Sequence, residues 1–516
     1  MKKKILLVTL HFDDSHEPVR RRNKLPQGMG AVFLAGAFAE KFCEIKVYSE
    51  LFSGPLEDEK ILGWPDMVVL TGVTNCFDRM LHITAYVKTK NPGVIVVAGG
   101  PPVRALPLYS SRFFDYSCTG DIEQLQDIVM EAFGKNYVAE EMVPRLDLAY
   151  WIGMHGHVET SRNCNFRCNF CSLTGEKRQL QRYNLDYIRR QLEVMGKRRS
   201  VHFIDNNFYG NDRQFFLERL ELIEEFRQRG QFTYWSAIIT SDFFQNDENL
   251  ILAKKTGCVA LFSGVESFDQ QSLGNYNKLQ NMGVSQIEMI SKTLDLGIAF
   301  WYGLILDVYT RNITDMVDEI EAIIHNDKIS LPGFITIPIP LLGTPYFIES
   351  MAGNRFLPNT TLRHMDGKTI CMQPLENIYE VANFIENLKS LKGYRTKVLK
   401  HAFSFARRYR HRFNFEQMVY ALASNGLITL NALFTAGKLS RGSRQTHISS
   451  TERVESTYMP KFRVEAQFEN YFSPTMLTGE QGEINEDLGA DFEGYSPKRN
   501  VDSQAVICEE ETCLNG

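Results

Sequence analysis

The sequence predicts an α/β protein: an N-terminal doubly wound parallel-sheet (Rossmann-like) domain, a partial (β/α)6 barrel, and a helical C-terminal region. Three observations predict it. Over residues 1–145, short β-rich runs ending near glycine each lead into a helical pattern. After Gly153, six more strand-like runs alternate with helical stretches. Beyond residue 375 the strand signals give way to basic, aromatic sequence of helical period. A chain of 516 residues has room for two or three domains with sizeable cores.

In the first unit, KILLVTL reads as a strand, GAVFLAGAFAEKF as a helix, and EIKVYSE and MVVLTGV as strands. A helix through about Lys90, the strand VIVVAGG, the strand DYSCTG and the helix IEQLQDIVMEAF follow. The opening MKKKILLVTLHFDDSHEP resembles a secretory leader, but its apolar core is short and runs into acidic residues; it reads as a buried first strand. Ligands of such sheets sit beyond the C-terminal strand ends, which places Thr71–Thr74, Gly99–Pro101 and Thr119–Asp121 on one rim.

The barrel strands are expected in HGHVETS, SVHFIDN, FTYWSAII, GCVALFSGVE, IAFWYGLIL and FITIPIP. Directly after the first comes CNFRCNFC, in which Cys164, Cys168 and Cys171 are spaced C-x3-C-x2-C. Ten cysteines in 516 residues make that spacing rare by chance, roughly one start in 10^5. Three thiolates on a short loop can hold a cubane iron–sulfur cluster and leave the fourth iron open for a small molecule. The alternative is a structural zinc, with His155 or His157 as fourth ligand. The other cysteines are scattered, so a disulfide framework is not expected and a reducing cytoplasm is the default.

The chain resembles the radical S-adenosylmethionine (SAM) superfamily, and within it the branch with an N-terminal cobalamin-binding domain. The resemblance runs through roughly residues 1–375. It rests on the cysteine run with Phe170 before its last cysteine, on PQGMGAVFLA, VIVVAGGPP and CTGDIEQL in the first unit, and on FIDNNF and GVES in the barrel. It implies a cobalamin-binding-like domain over 1–145 and a radical SAM core over 150–375; beyond them, composition and pattern give a helical domain over 376–440 and a low-order polar tail over 441–516. It implies that Cys164, Cys168 and Cys171 hold a 4Fe-4S cluster, whose open iron chelates SAM and cleaves it reductively to a 5′-deoxyadenosyl radical. Phe170 lies near the adenine. Asp205, Asn206 and Asn207 stand where the superfamily has Gly-Gly-Glu, offering backbone acceptors to the SAM ammonium. Glu266 accepts from SAM's ammonium or ribose with Ser267 beside it, unless Ser267 simply caps the next helix. Arg162 is left as a carboxylate or structural partner.

The same resemblance implies cobalamin at the rim formed by Thr74, Gly99, Gly100 and Gly120. Corrinoid domains with a histidine lower ligand carry D-x-H-x-x-G after the first strand. Here Asp14-Ser15-His16-Glu17-Pro18-Val19 lacks the glycine, so a corrinoid bound without histidine, its nucleotide tail at Gly99-Gly100, is the favoured arrangement. A sheet domain that binds no corrinoid is the alternative. With cobalamin, the implied reaction is methyl transfer to an unactivated carbon; radical rearrangement or cyclisation, or a metal-stabilised binding protein without turnover, are the other readings. An electron donor such as flavodoxin or ferredoxin is implied as partner.

Net charge is −5, which argues against nucleic acid as a partner, and no apolar run reaches membrane-spanning length. AFSFARRYRHRFNFEQMVYALAS is basic and aromatic. It permits peripheral contact with an anionic membrane and a small-molecule or lipid-like substrate. The plainer reading has Phe403, Phe405, Phe413 and Phe415 packing on the barrel while the arginines stay solvated. The end of the chain is polar and acidic, with Cys508 and Cys513 read as free thiols.

Overall fold

Lys3–Thr9 (β1) is the second strand of a parallel sheet with Cys43–Ser49 (β2), Met67–Thr71 (β3), Ile95–Gly99 (β4) and Tyr116–Cys118 (β5), in the order β2-β1-β3-β4-β5. Parallel strands covered on both faces are continuous apolar runs, and Ile5, Leu6, Leu7 and Val8 are all buried. Thr9 pairs with Thr71, Thr71 with Gly99 and Gly99 with Cys118. The strand ends therefore form one rim, as expected. The structure is a computed structural model and describes residues 2–12, 28–387, 394–415, 417–418, 421–422, 448–449 and 458–492. Asp14, His16, Cys508, Cys513 and the apolar run LITLNALF lie outside the described residues.

The second unit opens with His155–Val158 (β6). A two-residue antiparallel ribbon follows, Ser161–Arg162 (β7) with Gln181–Arg182 (β8). It then continues through Ser200–Phe203 (β9), Tyr234–Ile239 (β10), Cys258–Glu266 (β11), Ala299–Ile305 (β12) and Phe334–Thr336 (β13). The six long-sheet strands are parallel, in the order β13-β12-β11-β10-β9-β6. All six expected strands form. The ribbon was not legible in the sequence, and it clamps the base of the cysteine loop.

Side-chain alternation divides this sheet into two faces. Val201, Phe203, Trp235, Ala237 and Ile239 are buried, and Phe203 and Trp235 meet edge-on in an aromatic cluster with Phe208, which reaches Phe216 of the helix Arg213–Gln228. The opposite, inner face carries His157, His202 and Ser236 in register, with Ser236 Oγ 2.9 Å from His202 Nδ1.

The helices Ile378–Asn387 and Tyr394–Tyr409 follow the barrel. Residues 458–492, expected to belong to a low-order tail, are instead packed. Tyr458 Oη donates to Asp78 Oδ2 at 2.6 Å and the Thr475 amide donates to Asp78 Oδ1 at 3.1 Å. Phe472 stacks on His82 at 4.6 Å between ring centroids, and Phe462 lies 4.4 Å from Tyr86. Asp78, His82 and Tyr86 all belong to the helix Phe77–Lys90. At its other end the segment pairs Met476 with Thr361, just past the barrel, and Asp491 accepts from the amides of Leu108 and Tyr109. The polar average of the segment hides aromatic residues spaced to cover one helix.

Asp78 is buried, and burial pushes its carboxyl up while Thr475 and Tyr458 pull it down through hydrogen bonds. Replacing Tyr458 with Phe removes a donor from a buried carboxylate. The expected loss is about 1–3 kcal/mol, read as a lower urea midpoint at unchanged slope; an unchanged midpoint would mean the segment contributes no stability through this contact.

Candidate active site

The cysteine loop leaves the C-terminal end of β6, on the face where barrel loops gather. Its start is tied by a buried knot. Asp205, just past β9 and fully buried, accepts from Thr160 Oγ1 and Ser161 Oγ, both at 2.6 Å, and from the Thr160 amide at 3.1 Å. Arg219 Nη1 donates to Thr160 Oγ1 at 2.7 Å, and its guanidinium lies 4.0 Å from the Phe208 ring centroid. Burial pulls Arg219 down to about 10. The Asp205 side chain thus positions the loop and faces back into the fold. Asn207, also buried, reaches the loop itself, donating to Asn165 Oδ1 at 2.8 Å and to Asp242 Oδ2 at 3.3 Å. Asn206 is exposed between them. Of this turn, the side chains of Asp205 and Asn207 are committed to loop anchoring.

Asn163 turns the chain into the loop at φ 64°, a left-handed conformation that asparagine tolerates. Cys168 is buried, and Cys164 and Cys171 are half-buried. The far side of the loop is fastened to residues 275–280, which follow β11. Asn169 Nδ2 donates to the Asn275 carbonyl at 2.7 Å, the Asn169 amide to the Tyr276 carbonyl at 3.1 Å, and Asn277 Nδ2 to the Arg167 carbonyl at 2.8 Å. This brings two side chains to the thiols that the sequence reading missed. Gln280 Nε2 lies 3.5 Å from Cys168 Sγ, and Lys278 Nζ lies 5.8 Å from the Phe170 ring centroid. Phe170 itself meets Tyr276 edge-on at 5.2 Å.

Lys278 is buried and paired with Glu266, Nζ to Oε1 at 2.7 Å. Burial pulls the ammonium down, but the Glu266 carboxylate and the nearby thiols outweigh it and hold Lys278 above its ordinary value. Glu266 adopts φ 63°, unusual for a long side chain, at a register shift that ends β11. Its carboxylate folds back over Gly264. A Cβ there would sit 2.2 Å from Glu266 Oε1 and 2.8 Å from Lys278 Nζ, so any larger residue would displace the pair from this position. Ser267 is fully buried, donates to Glu319 Oε1 at 2.8 Å and receives the Asp269 amide. The cap of the next helix is Asp269, which accepts from the Ser272 amide at 2.8 Å.

Burial pushes the Cys171 thiol up to about 11 and raises Cys164 as well, while a backbone N–H and Lys278 pull both down. Neutral thiols in such a place become thiolates when a metal centre supplies positive charge. Among the described residues no three His, Cys, Asp or Glu side chains converge on a single metal ion. A mononuclear zinc draws its ligands to one centre at about 2.0–2.3 Å, whereas a cubane gives each thiolate its own iron. Of the two histidines offered for zinc, His155 Nδ1 is 2.8 Å from Ser200 Oγ, and the centroid of the His157 ring lies 6.1 Å from that of His202.

Beside the thiols opens a cavity of about 670 Å³, lined by Cys164, Asn165, Arg167, Asp242 and Gln245 among others. A second, of about 300 Å³, lies between the rim of the first sheet and the barrel, with Gly99, Gly100, Gly120, Phe33, Arg162 and Ile204 in its wall. Gly100 has φ 104°, and a Cβ on it would meet the Gly72 carbonyl oxygen at 2.6 Å. Thr74, expected at this rim, is buried in the turn Thr74–Cys76. Charged pairs join rim to loop: Arg104 binds Glu176 at 2.8 Å, and Arg104 and Arg178 both bind Asp121. Arg162 pairs with Glu159 and Glu123, each at 3.2 Å, which makes it a structural partner.

Residues 158–318 match the radical SAM superfamily. The matched segment is the half barrel with its cysteine loop, which is a radical SAM domain. The chain is 26% identical over 314 residues to an uncharacterized methyltransferase of Synechocystis sp. (56% of each chain) and 26% identical over 307 residues to the hopanoid C-2 methylase of Rhodopseudomonas palustris (55% of this chain, 56% of that one). It thus spans just over half the length of these relatives. Its fold is that of a cobalamin-dependent SAM radical enzyme, OxsB, solved with aqua-cobalamin and SAM. The TM-score is 0.57 at 16% identity, covering 86% of this chain and 74% of that one. The radical SAM methyltransferase TsrM of Kitasatospora setae shares it at a TM-score of 0.50 and 13% identity, over 69% and 78% of the two chains. The likeness to both structures is one of fold.

Burial, with neighbouring positive groups, pulls both His157 and His82 down to about 3. Both stay neutral in the fold, while the unfolded chain takes up protons below about pH 6.5. Their contribution to stability is complete above that value and falls as the pH drops toward 3. Urea midpoints measured from pH 7 down to 4.5 should decline, and His157→Gln should flatten the decline by about one proton; an equal slope in the variant would refute the assignment.

Proposed function

We propose that this protein is a radical SAM enzyme that uses a 4Fe-4S cluster, SAM and cobalamin to methylate an unactivated carbon of a lipid-like substrate. One observation carries the reading: the three-thiol loop and the glycine-rimmed cavity of the sheet domain meet at one seam, tied by Arg104, Asp121, Glu176 and Arg178. When bound, the cluster would supply the electron that cleaves SAM, and cobalamin the means of carrying a methyl group. Cys164, Cys168 and Cys171 would hold the cluster. Gln280 donates toward the Cys168 sulfur and Lys278 places a cation beside the loop, both of which favour the thiolate forms. Lys278 and Glu266 offer opposite charges to the carboxylate and ammonium of SAM, and Phe170, backed by the buried Tyr276, offers an aromatic face for its adenine. Gly99, Gly100 and Gly120 let a flat ring or its nucleotide tail approach the backbone closely.

The hopanoid C-2 methylase among the relatives supports a lipid-like substrate, which would be met at a membrane surface and so calls for peripheral contact. No described helix is long and apolar enough to cross a membrane. Reduced thiols at the site fit a cytoplasmic setting, with flavodoxin or ferredoxin as electron donor. The second reading, rearrangement or cyclisation without methyl transfer, uses the same residues.

Anaerobic loading with iron, sulfide and hydroxocobalamin tests the two-cofactor reading directly. The expected content is about four iron, four sulfide and one corrinoid per chain. Cys168→Ala should lose iron and abolish 5′-deoxyadenosine formation; unchanged SAM cleavage would overturn the cluster assignment. Methylated product with S-adenosylhomocysteine supports methyl transfer, and deoxyadenosine alone supports the second reading.

Lys278→Met should raise the Kd for SAM about 10- to 100-fold, the worth of one charge-assisted hydrogen bond. Iron and sulfide content should stay unchanged, and Lys278→Met with Glu266→Gln controls for the stranded carboxylate. Unaltered SAM affinity in both variants would remove Lys278 from the binding site.

A further inference from the structure

The helix Tyr394–Tyr409 has one face committed to the barrel. Val398, His401, Phe405 and Tyr409 are buried at helical spacing, Tyr409 Oη donates to the Lys328 carbonyl at 2.7 Å, and His401 Nδ1 lies 3.0 Å from the Ile324 carbonyl oxygen. Phe413 continues that buried side. Of the four phenylalanines expected to pack, only Phe405 and Phe413 do so. Phe403 is 72% exposed and Phe415 is 85% exposed.

Leu399, Phe403 and Arg407 are successive i, i+4 neighbours and so share one outward stripe. Residues 394–415 contain seven Lys and Arg and no Asp or Glu, within a chain of net charge −5. Two of these cations are used structurally: Lys397 pairs with Glu321 at 2.7 Å and Arg408 with Asp327 at 2.9 Å. Lys400, Arg407 and Arg412 are exposed, and no ion pair involving them occurs among the described residues. Exposed aromatic rings between unpaired cations do not fit a solvated helix face, which needs no aromatic residue. They do not fit a self-interface either, because two copies would oppose like charges.

We propose that this outward stripe of Leu399, Phe403 and Arg407, with the exposed Arg412 and Phe415 just past the helix, docks the protein on an anionic phospholipid bilayer. The rings enter the interfacial layer, and the cations meet the lipid phosphates. The contact is peripheral and reversible, since no described helix can span a bilayer. It stands on the surface alone and does not depend on the reaction catalysed.

Co-sedimentation of the full-length protein tests it, using vesicles of phosphatidylcholine alone and vesicles of equal parts phosphatidylcholine and phosphatidylglycerol. The expected result is binding to the second only, released by salt, since screening shortens the reach of the cations. Phe403→Ser with Phe415→Ser, and separately Arg407→Glu with Arg412→Glu, should each weaken binding about tenfold or more with unchanged circular dichroism. The charge pair lies wholly on the exposed side, so it keeps the test valid if the aromatic pair misfolds. No binding at low salt, or binding that both double variants leave intact, would overturn the proposal. A concentration-dependent dimer in sedimentation velocity that the aromatic variant abolishes would also overturn it, assigning the face to a second copy of the chain.

Discussion

Three thiols can serve one inorganic centre only if an eight-residue loop keeps its shape before the centre arrives, and much of the site is built around that demand. Loops are ordinarily the loosest part of a fold. This one is fastened at its start by the Asp205 knot, at its base by the β7–β8 ribbon, and at its far side by the asparagines that reach residues 275–280. Each anchor comes from a different strand end. The order of strands in the half barrel is therefore a precondition for the loop geometry, because β6, β9 and β11 must present their ends on one face.

The Lys278–Glu266 pair answers an electrostatic problem raised by the same loop. A buried ammonium is stable only with a partner, and Glu266 provides it by adopting a strained backbone over Gly264. The result is a dipole of fixed direction beside the thiols. Such a pair costs little when it exchanges one charged partner for another, as happens when a zwitterionic ligand arrives. Strain held at a strand end is characteristic of binding sites.

The seam between the two sheets gives the site its second component. Arg104, Asp121, Glu176 and Arg178 close one side of it, and residues 458–492 bind the outer helix of the sheet domain and the chain beyond the barrel. These contacts join the first unit to the second, and the cavity beside the charged seam is walled by four glycines among apolar side chains such as Phe33, Leu125 and Ile204. A rim of glycines places few side chains between a ligand and the strand ends.

Much of this was legible one residue at a time. Apolar runs ending in glycine revealed the strands, because a strand buried on both faces has no choice of composition, and the cysteine spacing marked the loop that follows β6. The tasks of the side chains around that loop were not legible. Asp205 and Asn207 were expected to offer backbone acceptors to a ligand, and the anchoring task of their side chains left no mark in the sequence. Lys278 and Gln280 belong to no motif, and only the folding of the 275–280 segment onto the cysteines brings them to the loop. Residues 458–492 looked unstructured by average polarity, although Tyr458, Phe462 and Phe472 had a helix to cover. The sequence by itself determined the two parallel-sheet units and the three-thiol motif, because periodicity and spacing are local. Only the tertiary structure decided which polar groups meet the thiols and where the two units join, because those contacts link residues about a hundred or more positions apart and leave no periodic trace in the chain.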